Sequence, residues 1–385
     1  MARMRVGIMG SGGRSILHIK ALKAMEDEFE ICSVLFRSQK KAERFNREFG
    51  VPGALTMEQF LTAKPDFVIV CINYYDQDAV IIPLLEAGIP VLAETPPATS
   101  MENLYKLWNL SEEKRAKILI AENCFEQPFW KSKLEAIKRG YLGDVNTCTI
   151  GHTHEYHAFS VMRLVLDEMD SPFTMVGKKF DAPITLTHDH SSRPILPGMT
   201  QYADEYLSKH MDYDFKLTTD AEGRRILDGV LHNASSYHAM VEFESGKLGI
   251  YDFQVATFWS GIRSRCVLIR GSRGEIKDDQ IKYVAKNGSC KTAVLQSRFT
   301  DDGGLIDISM DGDVLYTNDL LSRGIGVNPD LAKMSLHMKH YIETGDAPYS
   351  FANGLQDTYM TMLLHHEVGN RPYEVIHSEK QPWQK

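Results

Sequence analysis

The sequence predicts two domains in succession. The first is an α/β domain on a mostly parallel sheet over residues 1–125, and the second an α+β domain on a mostly antiparallel sheet over residues 126–385. Three observations predict this. A chain of 385 residues is longer than one hydrophobic core usually organises. Through the first third, short apolar runs alternate with segments of helical periodicity, the pattern of parallel βαβ units covered on both faces. Further on, longer runs alternate apolar and polar residues between turns such as NGS and GSRG. That pattern suits antiparallel strands with one covered face.

The elements follow in order. MRVGIM is a first strand, SGGRS a glycine-rich turn and ILHIKALKAM a helix. FEICSVLF is a second buried strand, and QKKAERFNREFG a helix closed by Gly50. MEQFLTA precedes the third strand, DFVIVCI. DAVIIPLLEAG is a helix before the strand PVLAE, and ENLYKLWNLSEEKR a helix before AKILIAEN. FWKSKLEAIKRG then leads into the alternating strands SYHAMVEFE, KLGIYDFQVA and RSRCVLIRG. The stretch 183–235 reads as long and irregular, a form common in binding loops. Two late helices, PDLAKMSLHMKHYIETG and ANGLQDTYMTMLLHHEVG, carry apolar stripes.

Composition narrows the function. A formal net charge of −8 argues against nucleic acid as a partner, and weakly against an anionic membrane surface. Six dispersed cysteines without a CxxC pair read as reduced thiols. MARM leads directly into a strand, and the longest apolar runs fall short of a bilayer span, so the sequence suggests a cytoplasmic protein.

Gly10, Gly12 and Gly13, followed by Arg14, lie between the first strand and its helix. Such a turn lets backbone approach a pyrophosphate and aims helix N-terminal amides at it. Ser15 stands where the dinucleotide fingerprint has its third glycine, so the position in the βαβ series carries the assignment. The second strand ends VLFRSQKK, without the acid that takes the adenosine ribose in NAD sites. Arg37 and Ser38 could hold a 2′-phosphate, so the reading is NADP or NAD, with NADP slightly preferred.

VGIMGSGG, the AERF helix, LLEAGIPVLAETPPA, ENCFEQPFWKSKLEAIKRGYLGDV and VLIRGSRGEIKDD occur in this order. Together they resemble the Gfo/Idh/MocA oxidoreductases, the family of glucose–fructose oxidoreductase and inositol dehydrogenase. The resemblance implies a Rossmann domain, then a substrate domain on a large, mostly antiparallel open sheet whose last helix packs back toward the first domain. Nicotinamide and a sugar-like alcohol would meet at the seam. It further implies that Ile72, Asn73 and Tyr74 lie along the cofactor, that Glu94 holds the acidic position after the fourth parallel strand, and that Asn123 faces the cofactor. A homodimer or homotetramer is expected on the same ground.

Two departures stand out. The family's Glu-Lys-Pro is here Glu94-Thr95-Pro96. A lysine supplies charge near a developing alkoxide, whereas Thr95 can only orient a hydroxyl. The family's Asp-x-x-x-His-x-x-Asp falls on Thr153, His157 and Ser160, so the histidine is kept and both acids are replaced.

That pattern lies in GHTHEYH, residues 151–157. Period-two alternation places His152 and His154 on one sheet face, and Thr153 and Glu155 on the other. His157 is the general acid/base expected to move an alcohol proton. Glu155, Tyr156 and His154 are its candidate partners. His154, Thr153, His188, Arg193 and His232 are expected to reach substrate. The pairs His152/His154 and His188/His190 resemble zinc ligands, but their spacing matches no specific motif and no metal is assigned. The leading reading is an NAD(P)-dependent oxidoreductase acting on a sugar, cyclitol or related polyol. Redox-cycling glycoside cleavage and a non-catalytic nucleotide sensor are the alternatives.

Overall fold

The computed structural model describes residues 3–185, 217–219, 225–227, 231–254, 257 and 262–384. In chain order its helices are α1 (Gly13–Lys23), α2 (Gln39–Phe49), α3 (Met57–Thr62), α4 (Gln77–Glu86), α5 (Met101–Lys114), α6 (Pro128–Lys138), α7 (Glu155–Leu166), α8 (Pro329–Thr344) and α9 (Phe351–Met362). The first strands are β1 (Met4–Met9), β2 (Phe29–Leu35), β3 (Gly53–Ala54), β4 (Phe67–Val70), β5 (Val91–Ala93) and β6 (Ile118–Ile120). Then come β7 (Val145–Ile150), β8 (Phe173–Thr185), β9 (Leu217–Thr219), β10 (Arg225–Leu227), β11 (Leu231–Phe243), β12 (Leu248–Gln254) and β13 (Val267–Gly271). The last are β14 (Gly274–Lys277), β15 (Gln280–Val284), β16 (Cys290–Val294), β17 (Gln296–Phe299), β18 (Leu305–Met310), β19 (Asp313–Thr317) and β20 (Ile376–His377).

The chain forms two compact units. Unit 1 comprises Met1–Arg139, Ala293–Met362 and Lys380–Lys385, and unit 2 comprises Gly140–Thr292 and Leu363–Glu379. These units do not follow a single cut at residue 125. The reason within unit 1 is visible in its core: Ala332, Met334 and Met338 of α8 share one apolar cluster with Val6, Ile8, Val34, Phe67 and Leu92. Distant sequence is thereby joined to the first sheet.

Unit 1 is built on a six-stranded sheet of order β3-β2-β1-β4-β5-β6. Every pairing in it is parallel. Strands β4, β5 and β6 are short and wholly apolar because helices cover both faces. The helices start and stop where local chemistry dictates. Thr56 and Ser100 accept hydrogen bonds from the backbone of Gln59 and Asn103, and α2 ends at Gly50 with φ +62°. This is the doubly wound order, and its direction of winding reverses between β1 and β4, the usual place for a dinucleotide.

Unit 2 is built on a nine-stranded sheet of order β16-β15-β14-β13-β7-β12-β11-β8-β20. The β7–β12 pairing is parallel, while β8–β11, β11–β12, β7–β13, β13–β14, β14–β15 and β8–β20 are antiparallel. Alternation sorts the faces as the sequence suggests: Ala239, Val241 and Phe243 are buried, whereas Met240 is 47% exposed. Helix α7 lies close on this sheet because Gly249 leaves room for Met162. A Cβ at Gly249 would stand 2.2 Å from the Met162 sulfur.

One expectation is corrected here. Residues 183–185 and 231–235 are not irregular but belong to β8 and β11, which pair from Phe173↔Phe243 to Thr185↔Leu231. The runs are extended by ladder pairing with a long neighbour, which a local reading of polar residues does not reveal. His188 and Arg193 lie outside the described residues.

Candidate functional site

In unit 1 the turn after β1 is shaped by close packing. Gly10 has φ +130°, and a Cβ there would lie 2.2 Å from the Cys71 carbonyl oxygen and 2.9 Å from Ser15 Oγ. Only glycine fits such a position. Gly12 is the N-cap of α1 and Gly13 its first residue, and Gly12 has no side chain to cap the helix. The first amides of a helix lack intrahelical partners, so this end is suited to an anion. Ser15 uses the place of the third glycine to contact Cys71 Sγ at 3.1 Å. Burial pushes the Cys71 thiol up to about 12, so it packs as a neutral group.

Glu94, at the end of β5, is buried against α1. His18 Nε2 lies 2.9 Å from its Oε1, and Arg14 Nε lies 3.4 Å from the same oxygen. Glu94 in turn raises the pKa of the Arg14 guanidinium. Thr95 is half-buried, and the Thr95–Pro96 peptide is cis. Ile72, Asn73 and Tyr74 follow β4, on the C-terminal side of the sheet where β1 ends. Asn73 caps the next turn by accepting from the Tyr75 amide at 3.1 Å. Arg37 and Ser38 are exposed beyond β2. Asn123 is buried and donates from its side-chain amide to Asp330 of α8. The donor set, the uncapped helix and the glycine turn fit a dinucleotide.

In unit 2 the imidazoles gather at the start of α7. His154 is its N-cap and Glu155 its first residue. Glu155 has φ +35°, a conformation that a side chain bearing a Cβ seldom adopts. Its backbone amide donates to Tyr251 Oη at 3.2 Å, so a tyrosine of β12 pins the turn. The His154 and His157 ring centroids are 5.0 Å apart, and those of Tyr156 and His157 are 5.6 Å apart. Tyr156 is 3% exposed and His157 8%.

The carboxylate of Glu155 lies 2.9 Å from His365 Nε2. His365 belongs to a π-helical turn, Leu363–Val368, and its ring sits 4.7 Å from that of Tyr237 on β11. Burial alone would raise the Glu155 pKa. The hydrogen bond with His365 and the nearby His365, His154 and His157 hold it below the usual carboxylate range.

Sequence reasoning did not find His365. The string LLHHEV reads only as the end of a helix, and a π-turn displaces side chains from the helical register. A second correction concerns His152 and His154. Strand β7 ends at Ile150, so neither lies on a sheet face. Alternation stops at Gly151, where a Cβ would stand 2.7 Å from the Asp252 carbonyl oxygen and 2.8 Å from Cys266 Sγ. Thr153 sits in the resulting turn. His232 lies on β11 opposite Ile184, and its side chain is outside the described residues.

The fold and the glycine turn define a dinucleotide-binding α/β protein. Residues 4–122 match the family model described as an oxidoreductase family with an NAD-binding Rossmann fold. That stretch is thus similar to the nucleotide-binding part of the Gfo/Idh/MocA oxidoreductases, and the match covers less than half of the chain.

Among curated proteins, the chain is 23% identical over 258 residues to glycosyl hydrolase family 109 protein 2 of Phocaeicola vulgatus, covering 63% of this chain and 60% of that protein. The match thus spans less than two thirds of that relative's length. Among solved structures, an NAD-binding oxidoreductase from Klebsiella pneumoniae shares 15% identity with a TM-score of 0.65, over 99% of this chain and 100% of that one. A variant of a 3-ketoreductase from Actinomadura kijaniata, in complex with TDP-benzene and NADP, shares 14% identity with a TM-score of 0.60, over 94% of this chain and 97% of that one. These two likenesses concern the fold.

Proposed function

We propose that the protein is an NAD(P)-dependent oxidoreductase acting on a secondary alcohol of a sugar, cyclitol or related polyol. The observation that carries this reading is the Gly10 turn and uncapped α1 at the point where the winding of a parallel sheet reverses. Gly10, Gly12 and Gly13 with Arg14 would hold the pyrophosphate, Ile72, Asn73 and Tyr74 would lie along the cofactor, and Glu94 and Asn123 would face its pocket. Arg37 and Ser38 favour a 2′-phosphate on the adenosine ribose. When bound, the nicotinamide supplies the acceptor or donor of hydride.

The residues of unit 2 handle the proton. His157 takes the hydroxyl proton as the carbon is oxidised and returns it in the reverse direction. Glu155, charged at neutral pH, stands in for the two acids that the family pattern lacks at Thr153 and Ser160. Tyr156 and His154 flank His157. Thr153 and His154, with His188, Arg193 and His232, would contact the substrate hydroxyls. Thr95 orients a hydroxyl without carrying charge.

The name of the Phocaeicola vulgatus relative favours a second reading with the same residues. Oxidation of the carbon two positions from the glycosidic carbon acidifies the C–H of the carbon between them. A base removes that proton, the glycosidic oxygen leaves, water adds in its place, and hydride returns to the oxidised carbon. Such a cycle would leave no net change in the nicotinamide. The protein is proposed to work in the cytoplasm as a homo-oligomer.

Turnover of a panel of free sugars, cyclitols and aryl glycosides with NAD⁺ and NADP⁺ tests both readings. Net reduced nicotinamide supports the first, and aglycone release without net reduction supports the second. Absence of both, in a protein that binds nucleotide, leaves a nucleotide-binding sensor.

A further inference from the structure

We propose that Asp76, on the turn after β4, sets the dinucleotide preference by competing with a 2′-phosphate for Arg37. This rests on reading unit 1 as a dinucleotide site. Strands β2, β1 and β4 are successive neighbours, so Arg37 and Asp76 stand on either side of β1, whose end runs into the Gly10 turn. Neighbouring strands are about 4.8 Å apart, which separates the two flanking tips by about 10 Å. The Arg37 side chain spans that gap and brings its guanidinium nitrogen to 3.6 Å from Asp76 Oδ2.

Asp76 is placed for this. Its amide donates to the Asn73 carbonyl at 2.9 Å, which closes the short 3₁₀ turn Tyr74–Asp76. It is also the N-cap of α4, where an aspartate ordinarily accepts from the amides of its own helix. Here its carboxylate makes no such bond and faces Arg37 instead. The two side chains are 86% and 56% exposed, so the pair is weak, salt-sensitive and easily displaced.

The carboxylate missing from the tip of β2 is thus supplied from β4. A ribose 2′-hydroxyl can donate to Asp76 while Arg37 stays in place. A 2′-phosphate must draw Arg37 away and then sit beside a like charge. Asp76 therefore holds the preference for NADPH below what Arg37 and Ser38 alone would give.

Binding of NADH and NADPH, each titrated by nicotinamide fluorescence against wild type, Asp76→Asn and Arg37→Gln, tests this without turnover. Asp76→Asn is expected to shift the ratio of the two Kd values toward NADPH by about five- to tenfold. Arg37→Gln is expected to shift it the other way, and both shifts shrink as salt rises. An unchanged ratio in Asp76→Asn, or one moved toward NADH, overturns the proposal and leaves the dinucleotide site standing. If neither nucleotide binds wild type saturably, the dinucleotide reading fails and the proposal fails with it.

Discussion

Glu155 Oε1 lies 2.9 Å from His365 Nε2, joining the first residue of α7 to a π-helical turn more than two hundred positions later in the chain. His157 follows two residues after Glu155, so one carboxylate serves the surroundings of three imidazoles, those of His154, His157 and His365. On the proposed reading, Glu155 is the acid near His157, where Thr153 and Ser160 stand at the two acidic positions of the Gfo/Idh/MocA pattern.

Glu155→Gln should lower kcat by about 10- to 100-fold while leaving nucleotide binding to unit 1 unchanged. The direction of the pH effect follows from charge. A neighbouring carboxylate favours the protonated imidazole, so its removal lets His157 act as a base at lower pH, and the acid limb of the kcat profile moves down. His365→Asn should reduce kcat in the same range. A uniform drop in kcat with an unmoved profile would assign Glu155 to folding alone.

Gly10→Ala should weaken NADH and NADPH binding by at least about 100-fold. A methyl group cannot fit 2.2 Å from a carbonyl oxygen at φ +130°, so the turn itself must shift. Fluorescence titration checks this, with the circular dichroism spectrum as the control for fold.

His157→Ala should cost about 10²- to 10⁴-fold in kcat with little change in nucleotide Kd, the usual worth of a general acid/base. Thr95→Ala should cost no more than about tenfold, since a hydroxyl that orients substrate carries no charge. Steady-state kinetics on the best substrate of the panel would measure both.

Glu126 offers a test of stability in unit 1. Burial alone would raise its pKa, but His337, Lys131 and Lys333 lower it from 4.5 to about 2. The folded value lies below the unfolded one, so the carboxylate stabilises at pH above about 4.5, and this is lost as pH falls toward about 2. Glu126→Gln should therefore destabilise by on the order of 3 kcal/mol at neutral pH. Urea unfolding at several pH values should show that difference closing in acid.

The alternation of β1, β2, β4, β5 and β6 with the helices was legible because each of these elements carries its own period, and some carry a local stop such as Gly50 after α2. Strand β3 was not, because two residues held by their neighbour have no period of their own. The glycine turn was legible for the same local reason, since φ +130° admits almost nothing else. The partners of the site were not. His365 meets Glu155, and Asp76 meets Arg37, through tertiary placement, and neither contact leaves a spacing in the sequence. His152 and His154 show the converse: alternation extrapolated past Ile150 fails because the backbone turns at Gly151.

The most direct test of the account is the nucleotide itself. The protein should be purified without added cofactor, any bound nucleotide identified by mass spectrometry, and NADH and NADPH titrated in parallel with Gly10→Ala. The account predicts saturable binding of a nicotinamide dinucleotide to the wild type and its loss in the variant. No binding of either form to well-folded wild type would contradict it.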